Sequence, residues 1–344
     1  MNNHLTVGLD LAKQVFQVYG TDSQGATLFN RKLRRPDLRA FFEKLSPCLV
    51  GMEACGSSHY WAREISSLGH EVRILPAQQV KPFVVRGKTD AADAAAINKA
   101  LKQPDIRAVP IKSVTRQASA MLLGTRSLFV RQKANAVNAL RGHLAEFGLV
   151  AETGVTNVVK LAAAFEAAPD SQIPPTARFA LSELFAQIEL LTERISTIDA
   201  RIASEAKEDG DIKRLTSIPG IGPLIASTIK AYVPDPATFK SARHFASWLG
   251  LTPRSYSSGG KSRHTRISRM GNRELRSLLY IAAMSVLSAV RRYEKGSRWQ
   301  LRLLERRPFK VAAVALANKT ARVVWALLAK GGCYRQAPEL VEAR

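Results

Sequence analysis

Three strand-like segments followed by a helix–strand–helix–strand–helix alternation occupy the first hundred residues, and few folds accept that order. "LTVGLDLA" is a short apolar run, "VFQVYGT" alternates with period two, and "ATLFNRKL" follows a Ser-Gln-Gly turn. A helical stretch opens at Pro36 and Asp37, with Leu38, Phe41, Phe42 and Leu45 on one face. "CLVGMEA" reads as a buried strand, a helix runs from about Ser58 to Leu68, "EVRILP" is a further strand, and an Ala-rich helix spans about Asp90 to Leu101.

This is the element order of a ribonuclease-H-like α/β sheet, in which the first and fourth strands are neighbours. Asp10 lies inside the apolar run "VGLDLA", where an ionised carboxylate is costly without a partner. Glu53 ends the fourth strand, so the two acids are expected side by side. Asp90 and Asp93 are three apart, on one face of the Ala-rich helix. Taken singly, Asp90 could be a helix N-cap, Asp93 a solvated helix residue and Glu53 a strand-end residue. Together, four converging carboxylates repel one another unless cations lie between them. Such hard oxygen ligands suit Mg²⁺ or Mn²⁺, and two such ions can clamp the attacking and leaving oxygens of a phosphodiester.

From about Ser113 the strand signals stop and a long helix is expected. After a looser link, Leu181, Leu184, Ile188, Leu191, Ile195, Ile198 and Ile202 follow a 3-4 spacing, a coiled-coil seam. Two pairings satisfy it equally: an intermolecular coiled coil, or an antiparallel packing on the preceding long helix of the same chain. These shifts in pattern divide the chain into 1–110, a catalytic domain; 111–206, a helical and coiled-coil segment; and 207–344, a mainly α C-terminal domain.

Charge narrows the partner. The chain holds 51 Lys and Arg against 28 Asp and Glu, a net of +23. A surplus of that size calls for a polyanion, because neutralising phosphates releases condensed counterions. Between residues 251 and 310 there are 15 Lys or Arg against 3 Glu, which marks a nucleic-acid face. No apolar run is read as approaching the ~20 residues of a spanning helix, so no membrane partner is expected, and three cysteines without metal-ligand spacing fit a reducing cytoplasm.

Two further motifs lie in the last third. "LTSIPGIGPLIASTI", residues 215–229, places Gly220 and Gly222 between apolar helical stretches, as in a helix-hairpin-helix element whose glycines let backbone N–H groups approach a phosphate; a tight helix–helix turn fits as well. In "GLTPRSYSSGGKSRHTRISRMGNRELR", Ser257 and Ser258 precede two glycines, and Lys261, Arg263, Arg266, Arg269 and Arg273 follow. A serine there is open to a phosphate, with arginines to stabilise pentavalent charge, although a Ser-Gly loop is more often a flexible turn.

"VGLDLAK", "GMEACGSSHYW", "GKTDAADA", "IPGIGP" and "GLTPRSYSSGG…RISRMGNRELR" occur in the order found in transposases of the insertion sequence 110/1111 family, which the chain resembles over nearly its whole length. These are DEDD-type, bridge-RNA-guided recombinases. The resemblance implies a RuvC-like N-terminal domain, a coiled-coil middle and a C-terminal transposase domain. It implies Mg²⁺-dependent recombination of double-stranded DNA, at element ends and target, directed by a structured guide RNA in a bacterial-type cytoplasm beside the nucleoid. A homo-oligomer, dimer or tetramer, is expected. Asp10, Glu53, Asp90 and Asp93 match the family's acidic tetrad, and its nucleophilic serine maps to Ser258, with Ser257 as the rival. Thr265 departs from the Gly that relatives commonly carry before Arg266. The competing readings are a RuvC-like, metal-dependent nuclease or junction resolvase without a covalent serine step, and a non-catalytic nucleic-acid-binding protein.

Overall fold

The computed structural model describes residues 5–335 apart from 86, 88, 153, 234, 259 and 260. The chain forms two compact units, one through Val114 and one from Thr115.

The first unit is built on five strands: β1 (Thr6–Asp10), β2 (Val15–Thr21), β3 (Thr27–Arg34), β4 (Leu49–Glu53) and β5 (Glu71–Leu75). Their order is β3-β2-β1-β4-β5, with β1, β2 and β3 antiparallel and β4 parallel to both β1 and β5. This is the ribonuclease-H-like arrangement, and it makes β1 and β4 neighbours.

Alternation along the strands sends side chains to two different cores. Val7, Leu9, Val50 and Met52 pack with Phe16 and Val18 against Leu38 and Phe42 of α1 (Asp37–Glu43) and against Trp61 and Ile65 of α2 (Ser58–Ser67). On the opposite face, Leu75 packs with Val80 of the short α3 (Ala77–Val80) and with Ile97, Ala100 and Leu101 of α4 (Asp90–Leu101). The outer strand β3 is largely exposed and carries Arg31, Lys32 and Arg34, charges that discourage edge-to-edge pairing. Cys48 and His70 are packing residues: the Cys48 Sγ lies 3.2 Å from His70 Nδ1 and both are buried.

The second unit starts with the 33-residue α5 (Val114–Glu146), continues through α6 (Val155–Ala167) and returns along the 34-residue α7 (Pro175–Glu208). The seam of α7 is used inside the chain. Leu181 and Ile188 pack with Leu140 and Leu144 of α5 and with Leu161 and Phe165 of α6, while Ile202 meets Leu123 nearer the start of α5. Low α7 numbers meeting high α5 numbers is the antiparallel pairing. Arg126 and Asp199 join it with a two-pronged ion pair, Nη2 to Oδ2 at 3.0 Å. The heptad spacing therefore serves an intramolecular hairpin, and its buried positions are not free for a second chain.

The remaining elements are α8 (Gly210–Thr216), α9 (Pro223–Tyr232), α10 (Ala242–Trp248), β6 (Pro253–Ser258), β7 (Lys261–Ile267), α11 (Arg273–Tyr293), α12 (Arg298–Arg306) and α13 (Phe309–Lys330). Leu215, Ile229, Phe245, Leu275, Leu279, Leu287 and Val324 share one core. One expectation needs correction here. By length and composition α13 is apolar enough to cross a membrane, contrary to the reading that no segment is. Yet Ala312, Ala313, Leu316, Ala317, Ala321 and Val324 are buried, so the helix is apolar because one face of it is core.

A second correction concerns the Ser-Gly segment. It is not a loop in a mainly helical domain but an antiparallel hairpin, with Ser257 paired to Ser262 and Ser258 to Lys261. Two glycines clamp its base. Gly250 has φ +72°, and a Cβ on it would lie 2.2 Å from the Met270 carbonyl oxygen; Gly271 has φ +79°, and its Cβ would lie 1.8 Å from the Trp248 carbonyl oxygen. The two backbone segments thus cross in direct contact. Gly271→Ala combines left-handed strain with a backbone clash, and is expected to lower stability by about 3 kcal/mol or more, read from the denaturant midpoint.

Candidate active site

Strand parity decides where the acids point. Leu9 and Met52 form the last pair of the parallel β1–β4 ladder, and Asp10 and Glu53 follow them at the same, carboxyl, end of the sheet. Asp10 shares the parity of Gly8, and Glu53 that of Gly51. Both glycines face α4: a Cβ on Gly8 would sit 2.1 Å from the Ala94 carbonyl oxygen, and one on Gly51 would sit 2.8 Å from a Leu101 methyl. The missing side chains let α4 lie almost on the backbone, and the neighbouring acids then emerge beneath the same helix.

Polar contacts fix how α4 lies. Asn98, buried, donates from Nδ2 to the Thr6 carbonyl (2.8 Å) and the Tyr19 carbonyl (3.3 Å), and accepts from the Thr21 hydroxyl (3.1 Å). Lys102 at the helix end donates to the same Thr21 oxygen at 2.9 Å. At the other end the Thr89 side chain caps the helix by accepting from Ala92 N–H. Thr89, not Asp90, is therefore the N-cap. Asp90 and Asp93 are left in the first helical turn, where the macrodipole favours negative charge.

The other three carboxylates act on Asp10. Asp10 is pushed up to about 6, first by burial and then by repulsion from Asp93, Asp90 and Glu53, partly offset by the Leu11 N–H. Glu53 is raised by burial and by Asp93. The structure thus brings together the four acids picked out in the sequence, at repelling rather than ligating distance. Among the described residues no three His, Cys, Asp or Glu are close enough to grip a single ion. The donor set still fits a hard divalent cation. It is all oxygen, and the burial that raises Asp10 is what a cation would relieve.

One residue near this site carries no signal of acidity or motif. Gln17 is the cross-strand partner of Asp10, is 4% exposed, and bonds Asn30 through Nε2. Its Oε1 is buried with no hydrogen-bond partner in the protein. The strand position paired with Asp10 thus carries a buried orphan oxygen, a neutral group of the kind a hard cation accepts. Its sequence clue is a lone amide between Phe16 and Val18 in an otherwise apolar strand. A second clue is the repeated spacing Gly8-x-Asp10 and Gly51-x-Glu53, which puts a helix-seating glycine and an acid on one strand face.

The other predicted residues belong to the second unit. Ser258 ends β6 directly before residues 259 and 260, which lie outside the described residues, as do the side chains of Ser257, Ser258, Lys261 and Arg263. Arg266 and Arg269 are exposed, and Arg273 begins α11. Gly220, at φ +84°, would bring a Cβ within 2.8 Å of Val286 on α11. That makes it a packing glycine in a tight helix–helix turn. Gly222 caps α9 in ordinary extended backbone without a side-chain hydrogen bond.

Comparison with known proteins matches both halves of this layout. A family model described as a transposase, of the DEDD IS110 type, matches residues 7–148 and so covers all four acids. A second, described as "Transposase IS116/IS110/IS902 family", matches residues 212–299 and covers the hairpin. The chain is 44% identical over 331 residues to a "Probable family 20 transposase" of Pseudomonas aeruginosa, covering 96% of this chain and 98% of that one. It is 34% identical to the "Transposase for insertion sequence element IS1328" of Yersinia enterocolitica, covering 96% and 98%. It is also 34% identical to the "Transposase for insertion sequence element IS1111A" of Coxiella burnetii, covering 96% and 91%. The chain belongs to the IS116/IS110/IS902 family of transposases: it is a divalent-metal-dependent enzyme of DNA transposition that acts on DNA.

Proposed function

We propose that this transposase breaks and rejoins double-stranded DNA at element ends and target through a serine nucleophile, with Asp10, Glu53, Asp90 and Asp93 holding divalent cations. The observation that carries the reading is the gathering of Glu53, Asp90 and Asp93 around the half-buried Asp10 on the α4 face of the sheet. Mg²⁺ suits the all-oxygen donor set and Mn²⁺ can replace it; when bound, such ions stabilise charge on the attacking and leaving oxygens of a phosphodiester.

The serine step balances without an outside energy source. The Ser258 hydroxyl oxygen bonds to phosphorus as the bond from phosphorus to one deoxyribose oxygen breaks, and the serine proton passes to the departing oxygen. The phosphoserine then yields to a DNA hydroxyl, which restores both the phosphodiester and the serine. Lys261, Arg263, Arg266, Arg269 and Arg273, clustered on and just beyond the hairpin, supply positive charge for the pentavalent phosphorus. Gly220 shapes the tight turn from which Gly222, at the start of α9, offers backbone N–H groups to the duplex phosphates. Target choice is assigned to a structured guide RNA, for which the +23 chain and the family resemblance are the support. The region 1–110 is catalytic, 111–206 a helical arm and 207–344 the transposase domain, working as a homo-oligomer beside the nucleoid.

Covalent trapping tests the serine. Wild-type protein incubated with element-end DNA and Mg²⁺ is expected to give a protein–DNA adduct that survives denaturation, and Ser258→Ala is expected to give none. An adduct that persists in Ser258→Ala but vanishes in Ser257→Ala moves the nucleophile by one residue. Strand breakage without any adduct in the wild type means a metal-only nuclease, and the serine step is wrong.

A further inference from the structure

The second unit contains a cleft that reaches beyond the serine hairpin, with which it shares Arg266, Arg269 and Arg273. It encloses about 1530 Å³ between the foot of the hairpin, α11, α12 and α13, above the ~300–1,000 Å³ common for small-molecule sites. Its floor is apolar: Leu251, Ile267, Val311, Val314, Ala315 and Val323 line it. On the hairpin and α11 side the rim carries Arg266, Arg269, Arg273 and Arg276. Lys310, Lys319 and Arg322 face them from α13. None of the lining residues is acidic, and among the described residues none of these seven cations forms an ion pair with a carboxylate.

This cleft also explains why α13 looks membrane-like. Residues 312, 313, 316, 317, 320, 321, 324 and 327 are buried on one face. Lys310, Val311, Val314, Ala315, Lys319, Arg322 and Val323 return every three to four residues on the other and line the cleft. The helix is rich in apolar residues because one side is core and the other interleaves floor residues with three rim cations.

The rim charges are placed against their own interest. Arg273 and Arg276 occupy the first turn of α11, where the helix dipole disfavours cations. Arg276 is held in place by donating to the Leu249 and Met270 carbonyls at 3.0 and 2.9 Å. Its guanidinium is lowered by burial and then by Arg269 and Arg273. Crowded like charges without counter-ions are offset when an anion binds. A duplex offers phosphates outside and hides its bases, so it would use the rim and leave the floor bare. An unpaired strand offers both: phosphates for the rim, and base faces for the floor and for Tyr280, beside the Trp299 ring over which the Lys319 ammonium sits at 4.2 Å.

We propose that this cleft binds an unpaired nucleic-acid strand, its bases against the α13 floor and its phosphates along the arginine and lysine rim. The proposal rests on the reading that the chain handles nucleic acid, but not on the serine or the carboxylates.

The test uses the full-length protein and fluorescence anisotropy. The probes are labelled 15-residue oligothymidylate and oligouridylate strands, an abasic strand of equal phosphate number, and a duplex of equal length. Both base-bearing strands are expected to bind at least ~10-fold more tightly than the abasic one, and the tighter of the two names the strand as DNA or RNA. Val314→Glu is expected to weaken strand binding at least ~10-fold while changing duplex binding less than ~3-fold. Arg322→Ala and Lys310→Ala, at exposed positions that do not threaten folding, are each expected to reduce the salt slope of strand binding by about one. Equal binding of abasic and base-bearing strands, or equal loss of duplex and strand binding in Val314→Glu, overturns the proposal. So does a Val314→Glu protein that sediments as a smaller species but binds the strand normally, since the cleft is then a protein contact. Asp10→Asn is expected to bind the strand like wild type while losing cleavage, so the cleft and the catalytic assignment fail independently.

Discussion

Asp10→Asn is expected to remove DNA strand cleavage, by at least ~10³-fold, while making the metal-free protein more stable. In the folded chain Asp10 is raised from 3.8 to about 6 by burial and by its three acidic neighbours. The native state therefore binds more protons than the unfolded state between those two values. This group's contribution is fully present below about pH 4 and is lost as pH rises through about 6. At pH 7 the ionised carboxylate is a net cost. Allowing for its partial exposure, removing that charge is expected to gain about 1–2 kcal/mol. Thermal melts read the outcome directly: without metal, Asp10→Asn melts above wild type at pH 7, and the gap closes towards pH 4. Added Mg²⁺ raises the wild-type melting temperature and leaves the variant unmoved. A variant that melts below wild type at pH 7, or that still cuts DNA, removes Asp10 from the site.

The second large effect comes from one methyl group. Gly8→Ala would place a carbon 2.1 Å from the Ala94 carbonyl oxygen and 2.7 Å from the Asn98 backbone nitrogen. Neither is a flexible side-chain tip, so α4 itself must move. That movement breaks the Asn98 bonds to the Thr6 and Tyr19 carbonyls and shifts Asp90 and Asp93 away from Asp10 and Glu53. The expected cost is about 3 kcal/mol or more in the denaturant midpoint. Cleavage is expected to fall steeply even at temperatures where the variant stays folded. Asn98→Ala separates the two roles: it loosens the helix without adding volume, so it is expected to cost stability through the exposed carbonyl partners with a smaller loss of cleavage. Full cleavage in folded Gly8→Ala would mean that α4 does not set the spacing of the acids.

The first unit was legible because most of its strands alternate or are apolar throughout, with a turn marking the exposed β3, and because Asp10 breaks an apolar run that tolerates no idle charge. The neighbouring of the first and fourth strands in that element order already placed Asp10 and Glu53 side by side. The distances between the four carboxylates were not legible, since they depend on how closely Gly8 and Gly51 admit α4. The heptad on α7 allowed two partners because a seam records what it needs, not which helix supplies it. Arg126 and Asp199 decide for α5 only once both are placed. The hairpin was missed for a different reason. "PRSYSS" and "KSRHTRI" hold few apolar residues, so no periodic signal rises above the loop background; the two-glycine spacing between them was the available clue. The cleft was invisible because its rim is assembled from a hairpin and a distant helix. Lys310, Lys319 and Arg322 look, along the chain, like ordinary exposed charges on a core helix.

The seating of α4 on two glycines has a mechanical side. Half of the acidic group is fixed to the sheet and half rides on the first turn of a 12-residue helix, about 18 Å long at 1.5 Å per residue. Asn98 and Lys102 anchor the far end of that helix to the sheet, while the Thr89 side chain caps its acidic end. The spacing between the two pairs of acids is therefore set by how the whole helix is seated, and a change under Asn98 or Lys102 is felt at Asp90 and Asp93 although neither acid is touched.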